Sequence, residues 1–594
     1  MLLKAALGGV LYFLSFPPFD YWYLIFPSIY FFYSSVISVE KVFNKGFIFG
    51  TISYGVILFG IQSIGYEAWV PLTILMGLMY GLYSKLLNLI GSTTNNNIFA
   101  LMGVVSGFGL LRSYFPFGGF PWGYSSTVLL TGISEVNDYQ ENIFFDIVPM
   151  LFKTFGPIGY SLLLESLILF IFLTIKNKEK LGYVLIKLLI GIVIVTMPNF
   201  FSQTSEEIEL IRELEVSIVQ GNSPCPGAKN KCDNERQRIY DNHLSLTRSL
   251  DNGQTVEDSD VSRLIVWAES SSGFRNDPKE NIETLKEIAL EIERLDAAFL
   301  IGGDRPSNPG EFENYAIFIN ESGQIDGEYL KQHPVPFGEY IPFRKYLEWI
   351  PPLALVPRDM VRGSKQEVFT TDKDEIKISP VISFEGSFDR YIRRSVDQGA
   401  EVIVILTNQA SYGESGMSDQ FILMSRANAI ANNRAIVHAA ITGKSAFISG
   451  VSGIVYSSSD LFTDEIPSVN KYLSEKIEEI DKFNASIDEN KEKRRLTNLG
   501  TLRAYLINYL KNHDGLNTDS MTLLVRQLSP TAVGVPLELY TFTNTTDWVE
   551  YEGIQSDIFD HIFAVLPKFG LRAFQEGTVE AAAARGLPIT ESEI

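Results

Sequence analysis

The stretch IKISPVISFEG, residues 376–386, decides the fold. It is an apolar run of the right length for a buried strand, and it ends on Ser383, with Glu385 just beyond. The same form recurs on both sides of it. LEVSIVQGN (214–222) is a buried strand closing in a Gly-Asn turn, RLIVWAESS (263–271) carries Glu269 near its end, and AAFLIGG (297–303) follows. AEVIVILTNQAS (400–411) and RAIVHAAITGKSAFIS (434–449) complete the series. Amphipathic helical patterns lie near 235–250, 279–294 and 418–432, and a hairpin pattern runs through NYAIFINESGQIDGEYLKQHP (314–334). Apolar strands alternating with helices predict an α/β layered domain with a largely buried sheet.

Outward from there, composition divides the 594 residues into two regimes. Residues 1 to about 200 are dense in Leu, Ile, Phe, Gly and Tyr, whereas most of the 70 acidic residues follow Ser205. The first regime reads as membrane and the second as water-soluble. Apolar runs at about 2–17, 22–38, 47–65, 69–91, 98–113, 158–175 and 182–198 each approach the roughly 20 residues that cross hydrocarbon, predicting seven spans. The first run starts with a Lys, as a signal peptide does, but it meets SFPPFDYW rather than a small-residue cleavage site and reads as retained. Lys4, Lys41, Lys45, Lys176, Lys178 and Lys180 share one side if the N-terminus is cytoplasmic, opposite Asp20, Glu67 and the acidic segment Glu135–Asp146. An odd number of spans then places everything after Asn199 outside the cytoplasm. FPFGGFPWGYSS (115–126) is too rich in Gly and Pro for a helix and too aromatic for an ordinary loop. An interfacial anchor and a lipid-lined entrance to a site both fit it.

The net charge of −21 argues against nucleic acid, which needs clustered Lys and Arg. It also repels anionic headgroups, so membrane contact by the soluble part should be apolar. Five scattered His and two Cys offer no metal-ligand spacing. The chemistry stands at strand ends. Glu269 leaves LIVWA for a run of serines, Lys331 lies in EYLKQHPVPFGEYIPF after a hairpin strand, and Ser383 ends a third strand. Singly, each reads as an ordinary solvated residue. Jointly they offer the base, cation and nucleophile of acyl transfer, although spacing alone does not bring them together.

VQGN, LIVWAES, YLKQHPVPFGEYIPF, ISFEGSF, LTNQASYG and SRANAIANNRAIVHAAITGKSAF occur in an order that resembles the apolipoprotein N-acyltransferases, bacterial membrane enzymes with a nitrilase-like (carbon–nitrogen hydrolase) domain. The resemblance runs to about residue 455 and returns at LELYTFTNTTDW. HPVPFGEYIPF is the element that separates this family from soluble nitrilases. The resemblance implies a multi-span α-helical membrane domain followed by an α/β nitrilase-like (α-β-β-α sandwich) extracytoplasmic domain, in the bacterial inner membrane. It implies a phospholipid acyl donor, a diacylglyceryl-lipoprotein acceptor, an acyl-enzyme intermediate, and no metal or soluble cofactor. Glu269 falls on the family's general base, Lys331 on its oxyanion-stabilising lysine, and Glu339 of FGEY on a supporting acidic position. Ser383 falls where the family carries its nucleophilic cysteine, in a pattern similar to Cys-Tyr-Glu that here reads Ser-Phe-Glu and ends on Glu385.

That serine departs from the family's pattern. A thiol with a pKa near about 8.5 readily yields a thiolate beside suitable charges, whereas a serine hydroxyl needs its proton removed during attack. A site shaped for sulfur also holds oxygen about half an ångström short of its target. Two readings stand: acyl transfer through Ser383, and a degenerate relative that binds lipid or lipoprotein without turnover. Gln409 and Ser411 stand where the family tends to Asp and Trp, and FDHIFAVLPKFGLRAF (559–574) is too short and charged for the family's last span. The expected organisation is a membrane domain over 1–200, a nitrilase-like domain over 213–456 plus about 530–548, a polar charged insertion over 457–529, and a tail over 549–594. Cys225 and Cys232 are close enough for a disulfide, and their loop could instead approach the site.

Overall fold

The apolar runs before residue 177 become helices: α1 (Leu2–Leu14), α2 (Ile25–Val36), α3 (Val42–Ile57), α4 (Tyr66–Thr93), α5 (Ile98–Tyr114) and α6 (Ile143–Lys176). In this computed structural model the described residues are 1–63, 65–131, 143–177, 213–223, 234–250, 261–347, 349–413, 415–457, 498–511, 513, 515–517, 521–528 and 535–566. Glycine lets α3 and α4 touch by their backbones. A Cβ on Gly46 would stand 2.3 Å from the Tyr80 carbonyl, and one on Gly50 2.9 Å from that of Met76. Rings join α4 to its other neighbours, with Tyr83 stacked on Phe108 of α5 at 4.1 Å and on Phe32 of α2 at 5.6 Å.

Among the described residues, two helices are long and apolar enough to cross a bilayer, Tyr66–Thr93 and Ile147–Lys176. α1 and α5 are apolar but shorter. The runs expected at 22–38 and 47–65 contain 3₁₀ turns at Trp22–Leu24 and Phe59–Ser63, which leave α2 with 12 residues and α3 with 16. The run at 182–198 lies outside the described residues, as do Cys225 and Cys232.

Alternation builds the α/β half. In β2 (Ser262–Gly273), Leu264, Val266 and Ala268 are buried in the core between two sheets, while Ile265 and Trp267 pack into a second cluster beneath helices. The first sheet has the order β1 (Leu214–Val219), β2, β3 (Ala298–Pro306), β4 (Glu311–Ile319), β5 (Ile325–Leu330), with β6 (Asp359–Met360) pairing β4. β1, β2 and β3 are parallel, and β3, β4 and β5 form an antiparallel meander. In the second sheet β7 (Phe369–Thr370), β8 (Lys377–Ile382), β9 (Val402–Thr407), β10 (Ala435–Ala440) and β11 (Ala446–Ile448) are consecutive neighbours. Its three central strands are parallel. Leu264, Val266, Leu300 and Phe318 of one sheet share a core with Ile378, Ile382, Val404 and Leu406 of the other. At about 1.5–3 kcal/mol for each fully buried aliphatic side chain, this core is the main force holding the sheets face to face.

Helices cover the outer faces. α7 (Glu235–Ser249) and α8 (Ile282–Leu295) bring Tyr240, Leu244, Ile288 and Ile292 onto the first sheet. The Asn281 side chain caps α8, accepting from the Glu283 N–H at 3.0 Å. α9 (Asp389–Asp397) and α10 (Met417–Asn432) cover the second sheet, and their Tyr391, Ile392, Phe421 and Met424 belong to the same cluster as the side chains of α1–α6. The result is the expected α-β-β-α sandwich, with the N-terminal helices packed on one helical layer.

The chain divides after Val455, and Tyr456–Ile594 forms a second unit. Within it, Leu502, Leu506 and Leu510 of α11 (Asn498–Lys511) meet Ile558 and Ile562 of α12 (Trp548–Val565) around Val525. Residues 458–497 of the insertion, with most of its charge, lie outside the described set, and Asn498–Lys511 forms a helix of this core. The strand β13 (Leu537–Tyr540), which the resemblance assigned to the α/β domain, pairs with β12 (Leu524–Gln527) and joins neither large sheet.

Candidate active site

Glu269 sits where β2 loses its regular alternation, the register with β3 shifting between Trp267 and Ser272. This irregularity turns its carboxylate toward the opposing sheet, and it is almost completely buried. Three donors hold it. Oε1 accepts from Lys331 Nζ at 3.2 Å and Asn314 Nδ2 at 2.9 Å, and Oε2 accepts from the Asn408 N–H at 2.8 Å. Lys331 follows β5 and is fully buried; its Nζ also donates to Glu339 Oε1 at 2.6 Å, while Glu339 Oε2 accepts from the Val335 N–H at 2.7 Å. A lysine buried alone would lose its charge. Burial does push Lys331 down, but the carboxylates of Glu269 and Glu339 outweigh it and hold the ammonium above its ordinary range. Burial and the charge of Glu269 raise Glu339, against the pull of Lys331. The three residues therefore act as one carboxylate–ammonium–carboxylate chain.

Ser383 lies one residue past the end of β8, as the first residue of a 3₁₀ turn (Ser383–Ser387). Its φ of 55° is left-handed, an uncommon conformation for serine and one that concentrates at functional turns. Ile382 is registered with Leu406, so Ser383 stands beside Thr407, next to the Asn408 whose N–H holds Glu269. Glu385 is fully buried and ties this turn to the lysine loop. Its Oε1 accepts from the N–H groups of Gln332 (2.5 Å) and His333 (2.8 Å), and its Oε2 from the Ile382 N–H (2.8 Å) and Tyr329 OH (2.7 Å). Burial raises its carboxyl, and these donors oppose the rise. Among the described residues, the half-buried Ser383 hydroxyl has no hydrogen-bond partner.

The aromatic segment 115–126 packs over this region. Phe120 lies 6.0 Å from Phe384, the neighbour of Ser383, and Trp122 lies 6.2 Å from Tyr412 and 5.8 Å from Phe421. Burial, then the charge of Glu269, raises the Tyr412 phenol, which places that ring in the carboxylate's field. Trp122 Nε1 donates to Gln420 Oε1 at 2.6 Å, and the Tyr12 and Tyr54 hydroxyls donate to the Gly123 carbonyl at 3.0 and 3.1 Å. Arg390 of α9 clamps the other end, donating to the carbonyls of Ser113 (2.9 Å) and Gly118 (2.7 Å). Gly118 has φ +97°, and a Cβ there would stand 2.3 Å from His333 Cε1, so only glycine fits. The segment read as an interfacial anchor or a lipid-lined entrance thus packs against the turn of Ser383 and the ring of Tyr412.

All five residues singled out in the sequence therefore converge, Glu269, Lys331 and Glu339 by direct bonds and Ser383 and Glu385 through the adjoining turn. Asn314, Asn408, Tyr329 and Arg390 escaped sequence reasoning. Asn408 stood in the strand-end LTNQAS with the same form as Glu269, a polar residue directly after an apolar run, and was the one with a usable signal.

Both parts of the chain are similar to known proteins. Residues 8–135 match the model of the apolipoprotein N-acyltransferase N-terminal domain, and residues 216–470 match that of carbon-nitrogen hydrolase. The chain is 30% identical over 240 residues to an apolipoprotein N-acyltransferase of Mycolicibacterium smegmatis, a stretch that is 39% of each protein. It is 25% identical over 470 residues to one of Aquifex aeolicus, covering 77% of this chain and 95% of the relative. Among solved structures, the carbon-nitrogen hydrolase of Helicobacter pylori is 15% identical over 39% of this chain and 82% of its own, with a TM-score of 0.28. With both family models matched in order and together spanning more than half of its length, the chain belongs to the apolipoprotein N-acyltransferase family.

Proposed function

We propose that this protein is a membrane acyltransferase that N-acylates the diacylglyceryl-cysteine at the N-terminus of lipoproteins, using a phospholipid as acyl donor and Ser383 as nucleophile. The observation that carries the reading is the buried Glu269–Lys331–Glu339 chain beside the strained Ser383 turn. In the first half-reaction the Ser383 oxygen attacks the ester carbonyl of the phospholipid while Glu269 takes its proton. Lys331, kept charged by its two carboxylates, stabilises the oxyanion. Collapse expels the lysophospholipid alkoxide, which recovers the proton from Glu269. In the second, the amine of the lipoprotein attacks the seryl ester, Glu269 again accepts the proton, and the amide product leaves with Ser383 restored. Glu339 holds Lys331, and Glu385 fixes the turn and the lysine loop against each other. Tyr66–Thr93 and Ile147–Lys176 cross the bacterial inner membrane in this reading, with further spans from the apolar runs and the α/β domain on the extracytoplasmic side.

One observation supports a slower or degenerate site, a relative that binds lipid or lipoprotein without turnover. Both oxygens of Glu269 are engaged by Lys331, Asn314 and Asn408, and the Ser383 hydroxyl has no partner among the described residues. No hydrogen bond then joins the Ser383 hydroxyl to Glu269, and removing the serine proton requires one to form.

The test is to give the purified full-length chain a phospholipid and a synthetic diacylglyceryl-cysteine peptide and to weigh the peptide. A gain of one acyl group in amide linkage is the expected result. Release of free fatty acid with an unmodified peptide would overturn the transferase reading, and binding of both lipids without any product would select the degenerate one.

A further inference from the structure

At the rim of the site two arginines share one aromatic ring. The guanidinium carbon of Arg236, in the first turn of α7, is 3.4 Å from the centroid of Phe274, and that of Arg358 is 5.2 Å from the same centroid. Arg358 also lies 5.7 Å from Phe312. Among the described residues neither guanidinium has a hydrogen bond or an ion pair. Arg236 is exposed, and the chain has 70 acidic residues against 49 basic ones to pair with such cations. Arg305, on neighbouring β3, shows the usual solution: it pairs with Asp277 at 3.5 Å, Glu313 at 2.8 Å and Glu328. Asp304 and Glu235 act on Arg236 through space without an ion-pair contact. Two cations that share a ring with no carboxylate in ion-pair contact repel each other, and a bound anion would relieve that repulsion.

Both arms are anchored on segments of the site. The Phe274 N–H donates to the Asp304 carbonyl at 2.8 Å, and Asp304 lies two residues beyond Gly302, which packs on the backbone of Glu269. Two residues of strand set the Asp304 backbone about 7 Å along from Gly302. Arg358 lies two residues before Met360, whose N–H donates to the Glu339 carbonyl at 2.8 Å. It also follows Phe343, Tyr346 and Trp349, exposed at 70%, 69% and 76%, rings suited to a membrane–water interface.

Resting on the reading above, we propose that Arg236 and Arg358 form a phosphate clamp that takes the phosphodiester of the donor glycerophospholipid. Guanidinium forks match phosphate oxygens in bidentate geometry, and Phe274 spaces the two forks around one anion. The clamp sets the donor's register, its phosphate at the rim and its ester a few bonds deeper, toward Ser383.

The experiment measures binding to the full-length protein in uncharged detergent, which needs no turnover. The probes are a short-chain phosphatidylethanolamine, the diacylglycerol with the same chains, and inorganic phosphate. In Arg236→Gln/Arg358→Gln the phospholipid should bind about tenfold more weakly while the diacylglycerol is unchanged. Arg358→Lys, which keeps the charge but not the fork, should fall between. Equal weakening of both lipids, or of neither, would overturn the clamp. Inorganic phosphate that binds the native protein as tightly as the phospholipid would assign the arginines to a free anion and overturn the lipid assignment. Loss of acyl transfer with clamp binding intact would count against the reaction alone.

Discussion

Replacing Lys331 by methionine removes the ammonium from between two buried carboxylates, 3.2 Å from Glu269 and 2.6 Å from Glu339. The lysine is fully buried, so solvent does not screen the loss. Removing one partner of a buried ion pair costs about 3–5 kcal/mol. At about 2–4 °C per kcal/mol for a domain of this size, that is a drop of roughly 6–20 °C in melting temperature at pH 7. The sign with pH follows from the carboxylates. Glu339 is already raised above its ordinary 4.5, and Lys331 is the charge that opposes the rise, so its removal raises Glu339 further. A raised carboxyl contributes stability that is present below pH 4.5 and lost as the pH climbs. The deficit of Lys331→Met should therefore be small near pH 4 and full by pH 7. Lys331→Met/Glu339→Gln, which leaves Glu269 with Asn314 and Asn408, should recover at least half of it. Thermal unfolding in detergent at matched scan rates measures all three. A single variant melting within 2 °C of the parent at pH 7, or a double variant no better than the single, would refute the coupled chain, since about 1 kcal/mol or less would then be at stake.

Arg390→Ala removes its bonds to the Ser113 and Gly118 carbonyls at one end of the aromatic segment, and hydrogen exchange at residues 113–120 should quicken by roughly tenfold or more; unchanged exchange would show that Trp122 and the tyrosines suffice to fix it. Gly118→Ala forces a methyl against His333 and a side chain into positive φ, so the melting temperature should fall by several degrees, with a loss of about 1–3 kcal/mol. Burial, then Arg390 and Arg362, depress His333 to about 3, so its neutral form contributes stability that is present above pH 6.5 and lost as pH falls from 6.5 toward about 3. His333→Gln should flatten this part of the acid limb in pH-dependent melting, and an unaltered limb would contradict it.

The sandwich was legible because its strands are buried on both faces and so appear as unbroken apolar runs, and Glu269, Lys331 and Ser383 stood out as polar residues at their ends. Their partners did not, because each bond depends on distant segments meeting: Asn314 is 45 residues from Glu269 and Asn408 is 139. The same distance hid the role of FPFGGFPWGYSS, whose contacts Phe384 and Tyr412 lie in the other half of the chain. Hydropathy alone could not show the 3₁₀ turns that shorten α2 and α3. In the insertion, the polar, charged composition obscured Leu502, Leu506 and Leu510, which stand at helical spacing and enter a core.

The central claim is that acyl chains pass through Ser383, and a covalent adduct tests it most directly. Full-length protein is incubated with phospholipid labelled in its acyl chain, denatured, digested and mapped by mass, alongside Ser383→Ala and Ser383→Cys. The account predicts an ester-linked label on the peptide containing Ser383, absent from Ser383→Ala and replaced by a thioester in Ser383→Cys. A label that survives Ser383→Ala, or one that forms only after Ser383→Cys, would contradict it.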